Sequence, residues 1–391
     1  MKNKAHPSVT IIGAGIGGLT VAAALDTVGI QSRILEQAGR FARIGAGIQM
    51  TPNAVKVLRG IGLEDRLRTI AYDSPFRTSR EWDTGREILR IPMGQVLEER
   101  HGAPHLLLHR GDLHQTLLSR VGEDRIQFAS RVTGVRSSED GVQLTLEDGS
   151  IEETDILIAA DGVHSVTRES LFDVTPAVYS GTIAYRSVFP TNLLSRPLMD
   201  PKSKWRGPDR QISIYYVGDG GEVYFTTRVP FPEPVRESFS LEADLEELRE
   251  AFSAFHAEVR DFLAACPLAQ KWAIYEREPL PTWIQGRVTL LGDAAHPMTP
   301  SMAQGAAQSM EDAAVLARCL AEDGADVRTA FERYWRTRHE RASTVQTESS
   351  RDQWNWTTPG SSVTKVDSDY VYGYDAWTTP LAPATTGAVA R

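Results

Sequence analysis

Asp293 and His296 stand out in the stretch LLGDAAHPMTPSMAQGAAQ because they are the polar groups between an apolar run and a string of small residues. A histidine so placed can be a general base, a metal ligand, or packing beside something large, for which the small residues make room. Two other stretches carry comparable chemistry. Gly13-Ala14-Gly15-Ile16-Gly17-Gly18 fits G-x-G-x-x-G. Gly13 allows a tight turn, Gly15 lets backbone approach a pyrophosphate, and Gly18 permits close packing of helix on strand. The following helix then offers unpaired N–H groups and the positive end of its dipole to phosphates. Glu36, 23 positions after Gly13, stands where a carboxylate accepts from both hydroxyls of a ribose. The third stretch is Asp161-Gly162-x-x-Ser165-x-x-Arg168.

These groups need a frame to hold them. Val9 to Ile12 reads as a strand, Gly17 to Val28 as an apolar helix and Ser32 to Glu36 as a second strand, which together make a βαβ unit. Helices are expected at Pro52 to Arg59 and Leu113 to Arg120. A hairpin is expected from Val132–Val135 and Val142–Leu146 with a turn at Glu147-Asp148-Gly149. Asp155–Ala160 and Val288–Leu291 read as buried parallel strands. Between Gly181 and Val229, IAYRSVF, QISIYYV and VYFTTRV alternate with turn residues, which predicts an antiparallel sheet. Glu242 to Ala265 reads as one amphipathic helix and Phe331 to Ser350 as a polar one, and the last twenty residues are expected to fray. The fold class is therefore α/β: a Rossmann-like dinucleotide-binding domain with an inserted antiparallel-sheet domain and C-terminal helices. The expected segments are 1–180, 181–280, 281–350 and 351–391.

Composition narrows the function. The chain has 391 residues, 41% hydrophobic and 24% charged, with a mean hydropathy of −0.28. A net charge of −9 argues against nucleic acid as a partner, because phosphate binding needs a basic surface. Lys2 and Lys4 before VTIIGAGIGGLTVAAAL superficially resemble a signal peptide, but the glycines and the βαβ continuation argue against that reading. No run approaches the roughly 20 uninterrupted apolar residues of a membrane span. Cys266 and Cys319 are isolated, so a cytoplasmic protein without a disulfide framework is expected. His101, His105, His109 and His114 lack the cysteine or carboxylate spacing that would complete a metal site, and none is expected.

The three stretches occur in order: GAGIGG at Gly13–Gly18, DGVHSVTR at Asp161–Arg168 and GDAAHPMTP at Gly292–Pro300. With them the chain resembles, over essentially its whole length, the single-component flavoprotein aromatic hydroxylases, the group of p-hydroxybenzoate and salicylate hydroxylases. The resemblance implies FAD as cofactor, NADH or NADPH as a transient co-substrate, and O2. Hydroxylation would proceed through a flavin C4a-hydroperoxide, with decarboxylation where the attacked carbon carries a carboxylate. It implies that Asp293 bonds the ribityl chain, that Asp161-Gly162 shapes the face shared by FAD and nicotinamide, and that Arg43 and Arg110 line the FAD site. Gln37, Ala46, Gly17, Gly292 and Pro300 fall among the implied cofactor contacts. The helix opening at Gln304-Gly305-Ala306 would meet the anionic edge of the reduced flavin. His296 then reads as loop-shaping or flavin-adjacent more than as a base.

IGAGIQMTPN, LHRGDLH, HPMTPSMAQGA and VYGYD resemble the 6-hydroxynicotinate 3-monooxygenase branch. Gln49, Gln211 and Ser301 stand where that branch places substrate-facing histidines, and Tyr215 matches its tyrosine. Loss of those potential cations argues against recognition of a pyridine carboxylate and points to a different hydroxylated aromatic. The wider resemblance implies a phenolic or hydroxy-N-heteroaromatic ring that carries a carboxylate. Tyr185, Tyr215, Tyr216, Tyr224 and Phe225 are candidate walls for a flat substrate. The expected protein is a monomer or homodimer without nucleic-acid or membrane partners. Two rival readings are a flavin-dependent halogenase, from Trp354-Asn355-Trp356-Thr357-Thr358-Pro359, and a non-catalytic flavin-fold binding protein.

Overall fold

A computed structural model describes residues 7–43, 46–233, 241–324, 326–351 and 368–384. The halogenase-like stretch Trp354–Pro359 lies outside them. Val9–Ile12 is buried along its whole length, as are Ile156–Ala159 and Val288–Leu290. Strands apolar on both faces belong in the middle of a parallel sheet covered by helices. They occupy that place in a six-stranded sheet ordered Ile284–Gln285, Val288–Leu290, Ile156–Ala159, Val9–Ile12, Arg33–Leu35, Ile126–Gln127. All neighbours are parallel except the Ile284–Gln285 edge. The helix Ile16–Thr27 packs between this sheet and the long helix Gly305–Asp323, and most of each is buried.

The second large sheet has eight strands: Leu241–Glu242, Gln270–Glu276, Val178–Pro190, Glu222–Pro230, Gln211–Val217, Lys202–Arg206, Phe76–Glu81 and Glu87–Pro92. An antiparallel sheet over 181–230 is present, but its edge is built from residues 76–92, which precede the expected boundary at 181. Lys202–Arg206 runs parallel to Phe76–Glu81, a pairing across more than a hundred residues that no local pattern encodes. One face of this sheet packs on two helices around Trp205, Phe225, Phe252 and Phe262. Trp205 is fully buried, and truncating such a side chain to alanine costs about 3–5 kcal/mol. The opposite face meets the six-stranded half of the molecule.

Two expectations need correction, and a third gains a strand. Glu242–Ala265 is a short strand and two helices, Leu245–Ala251 and Ala257–Ala265. Phe252 and Phe255 turn into the core between them, and His256 restarts the helix: its N–H donates to Trp82 and its Nδ1 accepts from Glu258. The expected hairpin of Val132–Ser137 and Val142–Leu146 is present, closed at Ser138–Gly141, and Glu147–Gly149 is a turn as expected; it leads on to a third strand, Ile151–Thr154. The described part of the tail does not fray. Arg318 donates to the carbonyls of Ala376 and Thr379, the Trp377 indole donates to Val57, and Ala376 is fully buried. No helix among the described residues is long and apolar enough to cross a membrane.

Candidate active site

The glycine loop leaves the first strand with Gly13 at φ +93°, a left-handed conformation that a side chain would strain. A Cβ on Gly18 would fall 1.9 Å from the Gly13 carbonyl oxygen, so only glycine lets the helix start so close to the strand. At Gly15 a Cβ would meet nothing within 4 Å; this backbone is open to a ligand. Glu36 is tied to the loop. Its carboxylate accepts from the N–H groups of Ala14 and Ala38, both at 2.8 Å, which leaves two of its roughly four acceptor positions for a ligand. His114 donates from Nε2 to the Ala14 carbonyl at 2.8 Å. Gln37 is exposed beside Glu36.

A cavity of ≈ 370 Å³ runs from this loop to the eight-stranded sheet. Gly15 and Gly17 border one end. Ala46, Arg110, Gly292 and Asp293 line its middle, with Pro300, Gly305 and Ala306 at the helix start. Gln49, Tyr215 and Tyr224 stand on the sheet side. Arg110 and Asp293 are enclosed by protein, yet both carry substantial accessible surface, which therefore opens onto the cavity. Neither side chain makes a hydrogen bond among the described residues. Burial pushes the Asp293 carboxyl above the usual carboxylate range, against the pull of His296, Arg110, Arg168 and Arg277. An enclosed carboxylate and guanidinium without partners suit a polyhydroxylated, anionic ligand that supplies donors to one and acceptors to the other.

The helix Gly305–Asp323 begins at this cavity. Its first backbone bond is from the Gln308 N–H to the Gln304 carbonyl, so the amides before it keep their donors free of helical partners. Gln304 itself is buried, its amide donating to Thr51 and accepting from Asn53, both at 3.0 Å. Behind the helix start, Asp312 accepts from the Gly292 N–H at 3.0 Å, His296 Nε2 at 2.6 Å and Arg338 Nε at 2.8 Å. His296 is 1% exposed, with its ring centroid 4.9 Å from that of Trp283. It stands behind the cavity wall and positions the Gly292–Asp293 loop, where a base would have to face the cavity.

The other site residues divide by where they sit. Asp161 points away from the cavity: Oδ2 accepts from the N–H and hydroxyl of Thr167, while Gly162 and Val163 form the wall. Arg168 ends the second of the three sequence motifs. Its guanidinium crosses to the carbonyls of Asp293 and Ala294 at 3.2 and 3.1 Å and binds Val163, stapling the second loop to the third. Arg43 does not line the cavity. Its side chain is 49% exposed and pairs with Asp112 and Glu222, joining the two halves of the molecule at the surface. Of the aromatic candidates Tyr215 and Tyr224 face the cavity, whereas Tyr185 and Phe225 lie in the opposite core and Tyr216 packs on Tyr72. Strand alternation explains this, since neighbours in sequence point to opposite faces. Burial holds the phenols of Tyr215 and Tyr224 above their usual range, so both stay protonated near neutrality.

Gln211 is four residues from Tyr215, about 13 Å along the same strand face, and it does not line the cavity. Its cross-strand neighbour is Arg228, which donates to Ser301 at 3.4 Å. Gln49 accepts from Lys202 at 2.6 Å. So each neutral residue that replaces an expected histidine has a cation beside it, and positive charge is not lost from these positions. The four histidines of 101–114 occupy separate surroundings, His101 against Tyr372, His105 near Lys202, His109 capping Gly111 and His114 on Ala14. Among the described residues no group of His, Cys, Asp or Glu could hold a metal ion.

Residues 6–349 match the family described as FAD binding domain. The chain belongs to that family. It is 40% identical to the 6-hydroxynicotinate 3-monooxygenase of Bordetella bronchiseptica, over 96% of this chain and 97% of the relative. It is 38% identical to the 3-amino-4-hydroxybenzoate 2-monooxygenase of Streptomyces cremeus, over 80% and 78% of the two chains. The structure of Klebsiella pneumoniae HpxO complexed with FAD and uric acid superimposes with a TM-score of 0.79 at 29% identity, covering 88% of this chain and 87% of that one. The protein is an FAD-dependent monooxygenase. Its Gly15 cradle, Glu36, Arg110 and Asp293 fit that cofactor.

Proposed function

We propose that the protein hydroxylates a phenolic or hydroxy-N-heteroaromatic ring at the expense of NADH or NADPH and O2. The observation that carries this reading is the continuity of one cavity from Gly15 and Asp293 to Gln49, Tyr215 and Tyr224. Such a cavity sets a flat substrate against the place where FAD is held. FAD, held by Gly15, Glu36, Arg110 and Asp293, would supply hydride acceptance from the nicotinamide and the activation of O2 for insertion of one oxygen atom into the ring.

The chain's own groups do the rest. Gly15, Glu36, Arg110 and Asp293 hold the cofactor. The amides at the start of Gly305–Asp323 favour negative charge at that end of the cavity. Pro297 and Pro300 line the same end and have no N–H to compete there. Met298, Ile274 and Trp272 complete an apolar wall that excludes water. Tyr215 keeps its proton on Oη and donates a hydrogen bond to a ring substituent. The unpaired, buried thiols of Cys266 and Cys319 suit a reducing cytoplasm.

The test is a panel of hydroxybenzoates, hydroxypyridines and hydroxyquinolines scored for stimulation of NAD(P)H oxidation, with product identification. Stimulation by a subset, with a ring-hydroxylated product, is expected. A flavin-loaded protein that no member stimulates above its background rate refutes the reading.

A further inference from the structure

The face of the eight-stranded sheet beside the cavity is cationic in a chain of net charge −9. Lys202 stands opposite Tyr215, and Tyr215 opposite Tyr224, so the three form one row across adjacent strands. Lys202 Nζ donates to Gln49 Oε1 at 2.6 Å and lies 5.8 Å from the Tyr215 ring centroid. Gln49 and Tyr215 line the cavity. Lys202 itself is not among the residues that line the cavity; it is enclosed by protein beside Gln49, which does line it, and keeps part of its surface accessible. It has no carboxylate partner among the described residues. The charged groups nearest it are Arg77 and Lys204, both positive, and His105 stands close by with Nδ1 buried and unbonded.

Proteins bury a lysine in this way at high cost unless an anion meets it. No described carboxylate meets Lys202, which leaves Nζ able to pair with an anionic group on a ligand. We propose that Lys202, presented beside Gln49 at the cavity wall, is the specificity-determining residue that receives a carboxylate on the aromatic substrate. This rests on the monooxygenase reading and deepens it. Burial, and after it the neighbouring Arg77 and Lys204, hold the Lys202 ammonium well below the usual lysine range. A carboxylate placed against Nζ would oppose that shift, which is read as proton uptake on binding.

The test uses holoenzyme and two pairs of probes, 3-hydroxybenzoate with phenol and 6-hydroxynicotinate with 2-hydroxypyridine. Binding is read from the flavin absorbance, and proton uptake from calorimetry in buffers of different ionisation enthalpy. The wild type is expected to prefer the acid of a pair and to take up protons with it. Lys202→Met is expected to weaken the acid by about 10- to 100-fold, leave the counterpart unchanged and abolish the uptake. Lys202→Arg should recover most of the acid affinity. Lys202→Met also removes a buried amine that has no carboxylate partner, and with it the bond to Gln49, so its melting temperature should stay close to that of the wild type. Equal weakening of acid and counterpart would assign the cation to a phenolate and overturn the carboxylate assignment, and unchanged acid binding would overturn the role altogether. Because these readouts need no turnover, they can fail while the monooxygenase reading stands, and the reverse.

Discussion

Asp312→Asn changes one atom in the network that supports the Asp293 loop. In the native protein each carboxylate oxygen faces donors only: Oδ2 the Gly292 N–H and His296 Nε2, Oδ1 the Arg338 guanidinium. An asparagine must turn its NH2 toward one of these sets, so a donor meets a donor in either orientation. Arg338 is fully buried and keeps Glu311, at 2.7 Å, as its carboxylate partner. Breaking a buried pair from one side costs about 3–5 kcal/mol. For 391 residues, unfolding entropy of about 2.1 cal/mol/K per residue converts this to a melting temperature lower by roughly 4–6 °C. FAD retention should fall as well where the NH2 turns toward Gly292, because the bond then lost is the one that fixes Gly292 next to Asp293. The control is Asp209→Asn, which removes a surface pair with Arg210 and should cost at most about 1 kcal/mol. The assay is thermal melting of apo- and holoprotein with an FAD titration. A variant melting together with the wild type and binding FAD as tightly would refute the idea that this network holds the loop.

Gly15→Ala and Gly18→Ala should separate. The first puts its methyl in open space where the cofactor passes, so the apoprotein should melt normally and bind FAD poorly. The second drives a Cβ into the Gly13 carbonyl and should lower the melting temperature of the apoprotein itself, as parallel melts will show. Asp293→Ala should weaken FAD by about 10- to 100-fold in equilibrium dialysis while the apoprotein stays folded. Burial holds the His105 imidazole well below its usual range, and His101, His109 and His114 are lowered too, also by burial. Below about pH 6.5 the unfolded chain binds protons that native His105 refuses, so stability falls with pH, by up to about 1.4 kcal/mol per unit for that residue. Melts at pH 7.5 and 5.5 check this, and greater stability at pH 5.5 would contradict it.

The nucleotide end was legible because its requirements are local. A tight turn, a close helix start and a terminal carboxylate each demand one residue type at one offset, and Gly13, Gly18 and Glu36 supply them. The buried parallel strands were legible for the same reason, being apolar on both faces. Contacts between distant segments were not. Nothing near Phe76–Glu81 says that it pairs with Lys202–Arg206, so neither the edge of the second sheet nor the position of Lys202 could be read. Val327–Arg351 looks like a polar surface helix, but Arg338 and Arg341 point inward to Glu311 and Asp312. Their ion pairs are invisible until the two helices are seen side by side. Arg168 was visible as a motif residue, and only its span of 125 positions to Asp293 shows what it does.

With FAD bound in the cavity lined by Asp293, Gly305, Tyr215 and Tyr224, the protein would pass one oxygen atom of O2 to an aromatic ring lying against the two tyrosines. The most direct measurement is turnover of a stimulating aromatic under 18O2, with mass analysis of the product. The account predicts a product carrying one 18O atom in a new ring hydroxyl, formed only in the presence of flavin and NAD(P)H. A product labelled from H2 18O instead, or NAD(P)H consumed entirely to hydrogen peroxide with every ring tested, would contradict it.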